Sequence, residues 1–267
     1  KHMFVDKEFN NAINMSGVNS INWSRIVVQI IYYFYSYFKI ANNGEKINFS
    51  VPTGNFGDIY AGYVAKKMGL PIDKLIIATN NNDILKRVMK SGIYKPLKVQ
   101  HTVSPSMDIQ VASNFERLIF DATLHNSDKV LKLMDNLNKH GEFELDKDIL
   151  TKIKESFCSE SLTENETKNV IKATYENYKI LIDPHTAVAI GAANKLRFKN
   201  KMVVLSTAHP AKFSDVVSNE TKIKSELPKN LKTILVEKEN FTKLPNELKK
   251  IKSYKPSVVF NALHGRF

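Results

Sequence analysis

The most apolar stretch of this chain runs from Ile26 to Phe38, inside a segment from about Trp23 to Ile40 that reads as a buried helix. Asn42-Asn43-Gly44 then supplies a stop. A second pattern follows, in which short apolar runs alternate with turns and with helical spacing. Ile47 to Val51 predicts a strand, Pro52 to Asp58 a glycine-rich turn, and Ile59 to Met68 a helix ended by Gly69 and Pro71. Leu75 to Thr79 predicts a second buried strand and Asp83 to Lys90 a helix closed by Gly92. A βαβα unit of this kind makes a parallel sheet covered on both faces. From Ser113 to about Lys179 the chain is charge-rich and helical in pattern, and Thr163 with Glu166 forms the arrangement in which each side chain satisfies the other's backbone amide at a helix start. Alternation then resumes. Pro184 opens a helix to about Leu196, Met202 to Ser206 is a short strand, Pro210 starts another helix, and Thr233 to Val236 is a last strand before a lysine-rich tail. The expected fold class is α/β: an open, mostly parallel sheet with helices on both faces and a central helical insertion. Residues 1–112 form its first α/β part, 113–180 the helical lobe, and 181–267 the return to the sheet.

Composition narrows the function. The 267 residues are 43% hydrophobic, which suits a folded chain with a sizeable core. There are 39 Lys and Arg against 27 Asp and Glu, a net charge of +12. The lysines are spread along the whole length with acidic residues between them, and no nucleic-acid-binding signature accompanies them, so no nucleic-acid partner is expected. Gln29 and Ser36 interrupt the apolar stretch and leave it short of the roughly 20 apolar residues a bilayer span needs, so no membrane partner is expected either. The opening residues Lys1 to Lys7 carry no basic-then-apolar leader, and Cys158 is the sole cysteine; both features point to the cytoplasm. A lone cysteine builds no thiolate metal site, and His101 and His125 have no partner at ligand spacing, so no metal is expected.

Three clusters carry candidate chemistry. Ser50-Val51-Pro52-Thr53-Gly54-Asn55-Phe56-Gly57-Asp58 lies between a strand and a helix, where glycines permit a tight turn and a helix amino end presents amides to an anion such as phosphate. It is neither a P-loop nor a dinucleotide fingerprint, and an ordinary turn is the competing reading. Ser206-Thr207-Ala208-His209-Pro210 again sits between strand and helix, at the sheet edge where open α/β folds bind ligands. Taken alone, capping by Ser206, Thr207 or His209 is the favoured explanation, and the same applies to His185 after Asp183-Pro184. Asn19-Ser20-Ile21-Asn22-Trp23-Ser24-Arg25 gathers amides, hydroxyls and a guanidinium densely enough for a phosphate ester or carboxylate, with a capped helix as the alternative.

In this order and spacing the clusters resemble the threonine synthase family, pyridoxal-phosphate enzymes of the tryptophan-synthase β-subunit fold type. The resemblance also rests on Ala78-Thr79-Asn80-Asn81-Asn82-Asp83, Ser104-Pro105-Ser106-Met107-Asp108-Ile109, Asp183-Pro184-His185-Thr186-Ala187-Val188 and Thr207-Ala208-His209-Pro210-Ala211-Lys212-Phe213. It implies fold type II and conversion of O-phospho-L-homoserine and water to L-threonine and phosphate, with pyridoxal 5'-phosphate as electron sink. It also implies that Gly54, Asn55, Phe56 and Gly57 hold the cofactor phosphate, that Thr207 meets the pyridine nitrogen, and that Asn19, Ser20 and Arg25 grip the substrate's phosphate. The family's Schiff-base lysine lies in a Phe-Lys-Asp motif, which this sequence lacks; Lys199 is followed by Asn200 and stands in the wrong order. The chain therefore resembles a C-terminal portion, a monomer or homodimer that needs the family's N-terminal half, and the catalytic lysine is unknown. A related phospholyase, another pyridoxal lyase and a non-catalytic binding fragment stay open as alternatives.

Overall fold

A computed structural model of the chain describes residues 6–8, 11, 16–17, 19–238, 243, 245, 247, 250, 253 and 260–261. Two units separate by packing: Lys1–Arg25 with Leu227–Phe267, and Ile26–Glu226. The larger unit carries the sheet. Helix α1, Trp23–Ile40, contributes Ile26, Ile30, Tyr33 and Tyr37 to its core, the spacing of one helical stripe. Among the described residues no helix is long and apolar enough to cross a membrane.

After α1 come strand β1 (Ile47–Pro52), helix α2 (Gly57–Lys67), strand β2 (Ile72–Thr79), helix α3 (Ile84–Ser91) and the short strand β3 (Ile93–Tyr94). Helices α4 (Phe115–Ala122) and α5 (Ser127–His140) lead to β4 (Phe143–Glu144), which pairs antiparallel with β3. Helix α6 (Lys147–Ser156), strand β5 (Phe157–Ser161), α7 (Glu164–Tyr178), α8 (Pro184–Leu196), β6 (Met202–Val204) and α9 (Ser214–Thr221) complete the unit.

The main sheet has the order β5-β2-β1-β6, every pair parallel. Its strands show the two-residue period expected of a sheet covered on both sides. Ile47, Phe49 and Val51 of β1, with Leu75 and Ile77 of β2, enter the larger core with α1 and α2. Ile76 and Ala78 point the other way, into a second core with Val188, Ala189 and Ala192 of α8. Ser50, on that second face, donates a 2.7 Å hydrogen bond to the Ala189 carbonyl. Tyr33 meets Phe49 with ring centroids 4.9 Å apart, and a Cβ at Gly62 would stand 2.4 Å from the Tyr33 ring, so α1 and α2 approach closely only because Gly62 has none.

Three sequence expectations change. The charge-rich segment 113–180 is not helical throughout, because Phe157–Ser161 forms the edge strand β5 on β2. Its sequence, Phe-Cys-Ser-Glu-Ser, has little apolar alternation, and pairing with a remote strand decides its conformation. The expected last strand at Thr233–Val236 is instead part of a 3-10 helix, Lys229–Leu235, in the smaller unit. The helix expected at Pro210 starts as a 3-10 turn, Pro210–Phe213, and becomes α-helical at Ser214.

Candidate functional site

Parallel strands send their following loops to one edge of the sheet, the edge where open α/β sheets bind ligands. β1 ends opposite Ala78 of β2, and Ser50 lies opposite Val204 of β6. The Thr53 amide donates to the Ala78 carbonyl at 2.8 Å, and the Leu205 amide donates to the Ser50 carbonyl at 3.0 Å. The loop Thr53–Phe56, the Asn80–Asn82 turn and the Leu205–His209 segment therefore leave from neighbouring strands at one level.

In the first loop, the residue with positive φ is Phe56 (φ 65, ψ 8) and not a glycine. A bulky side chain in the left-handed region costs on the order of 1–3 kcal/mol. Packing fixes it there, since the Phe56 ring is buried, edge-on to Phe115 at 5.3 Å and tilted against Phe157 at 5.6 Å. Phe56 occupies the cap position of α2 and makes no side-chain capping bond, so an apolar residue stands where a helix usually places a small acceptor. Gly54 serves a different purpose. A Cβ there would lie 2.6 Å from the Ser106 carbonyl oxygen and 3.1 Å from Ile109 Cδ1, so the loop nests against the segment Ser104–Ile109 only as glycine. The Asn55 carbonyl accepts from the backbone and the side-chain amide of Asn114, each at 3.0 Å, which ties the loop to α4.

The Ser104–Asp108 segment is itself anchored. Asn80, buried at the end of β2, directs Nδ2 to Thr102 Oγ1 (2.8 Å), Ser104 Oγ (2.9 Å) and Asp108 Oδ1 (2.9 Å). Asp108 also accepts from the Thr102 hydroxyl at 2.6 Å and the Thr102 amide at 2.9 Å. From the other side the Ser106 amide donates to His185 Nε2 at 3.3 Å. Asn80, Ser104 and Asp108 belong to the family-like segments of the sequence, which assigns them no task, and Thr102 lies outside those segments. The clustering of Asn, Ser, Thr and Asp was the available signal, and the pairing across the fold was not.

Asp58, in the first turn of α2, turns its carboxylate away from a capping role: Tyr33 Oη donates to Asp58 Oδ1 at 3.2 Å and to its carbonyl at 2.8 Å. Burial raises the Asp58 pKa to about 6, opposed by the Tyr33 hydroxyl. The amino end of α2 thus keeps its partial positive charge with no side-chain cap at Phe56, an arrangement suited to an anion such as phosphate.

At the second cluster the structure separates the residues. His209 caps the 3-10 turn, its Nδ1 accepting from the Ala211 amide at 3.2 Å, which is the capping reading of the sequence. Thr207 is exposed on the segment after β6, the immediate neighbour of β1. In the third cluster, Asn22 precedes α1 and accepts from the Ser24 amide at 2.9 Å, while Asn19 Oδ1 accepts from the Ile21 amide at 3.1 Å. Asn19 and Ser20 are half-buried and Arg25 is exposed; all three belong to the smaller unit. Among the described residues no group of His, Cys, Asp or Glu is placed to hold a metal ion.

The family model for the C-terminal part of threonine synthase matches residues 186–254. A PLP-bound threonine synthase from Brucella melitensis superposes with a TM-score of 0.90 at 46% identity, over 95% of this chain and 55% of that one. The chain belongs to the threonine synthase family. Threonine synthase of Saccharomyces cerevisiae is 44% identical over 281 residues, which cover 97% of this chain and 53% of the yeast protein. The yeast crystal structure has a TM-score of 0.76 at 42% identity, over 96% of this chain and 52% of that one. The chain thus spans about half the length of the threonine synthases it matches. The fold is that of type II pyridoxal-phosphate enzymes, the parallel sheet with helices on both faces that the sequence led us to expect.

Proposed function

We propose that this chain is the cofactor-seating and phosphate-recognising part of a threonine synthase, which converts O-phospho-L-homoserine and water to L-threonine and phosphate using pyridoxal 5'-phosphate. The observation that carries this reading is the uncapped amino end of α2, preceded by a loop in which Gly54 packs so closely that a Cβ would collide with the Ser106 carbonyl. Those residues fit a phosphate group. Gly54, Asn55, Phe56 and Gly57 would hold it through backbone amides, with the Asn55 side chain close by, and Thr207 would donate to the pyridine nitrogen from the neighbouring strand end. When bound, the cofactor supplies an electron sink for charge developing at the substrate's Cα and Cβ.

Asn19, Ser20 and Arg25 are assigned to the substrate's phosphate. Arg25 contributes a planar fork that orients the leaving group and stabilises its departing charge. No residue of this chain is assigned as the lysine that anchors the cofactor in the family. The substrate is a small molecule, with neither nucleic acid nor membrane as partner, and the active form is a monomer or homodimer joined to the remaining half of the family's chain. A reducing compartment, the cytoplasm, suits Cys158, whose burial raises the thiol to about 11 and keeps it unreactive.

Arg25→Lys in the complete enzyme tests the assignment. Lysine keeps the charge and loses the fork, so kcat/KM for phosphohomoserine should fall by about tenfold to a thousandfold while cofactor affinity stays unchanged. Release of the cofactor, with normal turnover at saturating pyridoxal phosphate, would reverse the two phosphate sites and break the proposal.

A further inference from the structure

The amino end of α8 holds a buried polar chain that the proposed chemistry does not use. Asp183 is fully buried and accepts from the His185 amide at 2.8 Å and from the Thr186 amide at 3.4 Å. The Thr186 hydroxyl donates to its other oxygen. Asp183 Oδ1 also lies 2.8 Å from His185 Nδ1. The opposite ring nitrogen, Nε2, faces the Ser106 amide at 3.3 Å. A backbone N–H only donates, so Nε2 must accept, which places the ring proton on Nδ1 and points it at Asp183. The ring is buried and packed against Phe213 with centroids 4.9 Å apart. One step further along the main chain, the Ser106 carbonyl is the atom that a Cβ at Gly54 would strike.

We infer that His185, fixed in tautomer and orientation by Asp183, is a positioning residue for the phosphate-seating loop. It holds Ser106 by its amide, so that the carbonyl of the same residue forms the wall against which Gly54 packs. The side chain acts through Ser106 and touches no ligand. The inference rests on the proposed seat for the cofactor phosphate, and Asp183 supplies the acceptor that keeps Nε2 free of a proton.

Two variants separate the contacts. His185→Asn retains a donor for Asp183 and removes the acceptor that faces Ser106. His185→Gln places an amide oxygen near the position of Nε2. Hydrogen exchange on the full chain reports the clamp, and calorimetric titration with pyridoxine 5'-phosphate reports the seat, because this probe carries the phosphate and no reactive aldehyde. Losing one hydrogen bond should speed exchange across residues 104–109 and weaken the probe about five- to tenfold in His185→Asn, with His185→Gln recovering both. In the unsubstituted chain, 15N shifts of the His185 ring should show the Nδ1–H tautomer; an Nε2–H or doubly protonated ring would overturn the inference without any variant. Unchanged exchange at 104–109 in His185→Asn would also overturn it. Faster exchange with undiminished probe affinity would overturn the positioning role alone and leave the cofactor reading standing. Failure of the unsubstituted chain to bind the probe when joined to the remaining half of the family's chain would remove the cofactor reading, and the positioning role with it.

Discussion

Two helices of the larger unit begin near the carboxyl edge of the sheet and finish their amino ends in opposite ways. At α8 the cap is Asp183, wholly buried and engaged by two backbone amides, a hydroxyl and an imidazole. At α2 the cap position holds Phe56, whose side chain offers the amides nothing and whose backbone lies in a region that bulky residues avoid. Asp58, the acid of the first turn, is drawn aside by Tyr33. The difference follows from what each end faces. The first turn of α8 is buried from Pro184 to Ala189, where no water reaches its amides, so the chain must supply the acceptor itself. The α2 end carries no side-chain acceptor, and the backbone strain at Phe56 is offset by the burial of its ring against Phe115 and Phe157.

The largest effect should come from opening the closed end. Asp183→Ala leaves the amides of His185 and Thr186 and the ring N–H of His185 without an acceptor in the core, and should lower unfolding free energy by about 3 kcal/mol or more. Asp183→Asn keeps one acceptor oxygen and should lose less. Urea denaturation of both variants checks this, and a loss under about 1 kcal/mol for the alanine variant would mean that water satisfies these groups and the ends are alike. Closing the open end should act mainly on binding. Gly54→Ala drives a methyl into the Ser106 carbonyl, a backbone atom, and should cost about 1–3 kcal/mol of stability and weaken pyridoxine 5'-phosphate at least about tenfold. Stability lost with affinity retained would show Gly54 to be a packing residue only.

The pH dependence of the α2 end sharpens the contrast. Asp58 titrates near 6 in the folded protein because burial disfavours its charge, whereas the unfolded chain titrates near the ordinary value of 3.8. Between these limits the folded state binds more protons, so this group makes stability fall as pH rises from about 4 to 6, by on the order of 3 kcal/mol in all. Asp58→Asn retains an acceptor for Tyr33 and should flatten that decline. Denaturation midpoints at pH 4, 5, 6 and 7 would decide it; a variant curve parallel to the native one would show that Asp58 is not the titrating group.

Much of this arrangement is legible in the sequence, for local reasons. The bounds of α1 follow from an apolar segment between Asn22 and Gly44, and α8 is announced by Asp183-Pro184, a cap followed by the residue best suited to a first helical position. The turn after β1 is recognisable as a candidate anion seat, although its positive φ falls on Phe56 and its glycine serves close approach. What could not be read depends on partners far along the chain. β5 is a strand because Leu75 to Thr79 stand beside it. The Thr233–Val236 run finds no neighbouring strand among the described residues and coils into a 3-10 helix. His185 looks like a residue of a capped turn until Ser106, 79 positions earlier, is brought to its ring.

A third amino end, that of α7, offers the smallest effect and tests whether burial sets the scale. There Thr163 and Glu166 form the reciprocal box expected from the sequence: the Glu166 amide donates to Thr163 Oγ1 at 3.3 Å and the Thr163 amide to Glu166 Oε2 at 2.8 Å. Lys195 of α8 adds an ion pair to Glu166 at 2.8 Å and, with the Thr163 amide, holds its carboxyl down to about 2. Chemically this end is as well furnished as the one Asp183 closes. Thr163 is exposed, however, so water replaces whatever acceptor is removed, and an exposed ion pair is screened by solvent. Thr163→Ala should therefore cost only about 1 kcal/mol, and Thr163→Ser almost nothing. Because the folded Glu166 pKa is depressed, its contribution is present above the ordinary glutamate range and disappears as pH falls toward 2. Urea titrations at neutral pH, run beside Asp183→Ala, give the comparison directly. If the two alanine variants lost equal stability, the number of hydrogen bonds at a helix end and not its burial would set the cost, and the contrast between α2 and α8 would lose its physical basis.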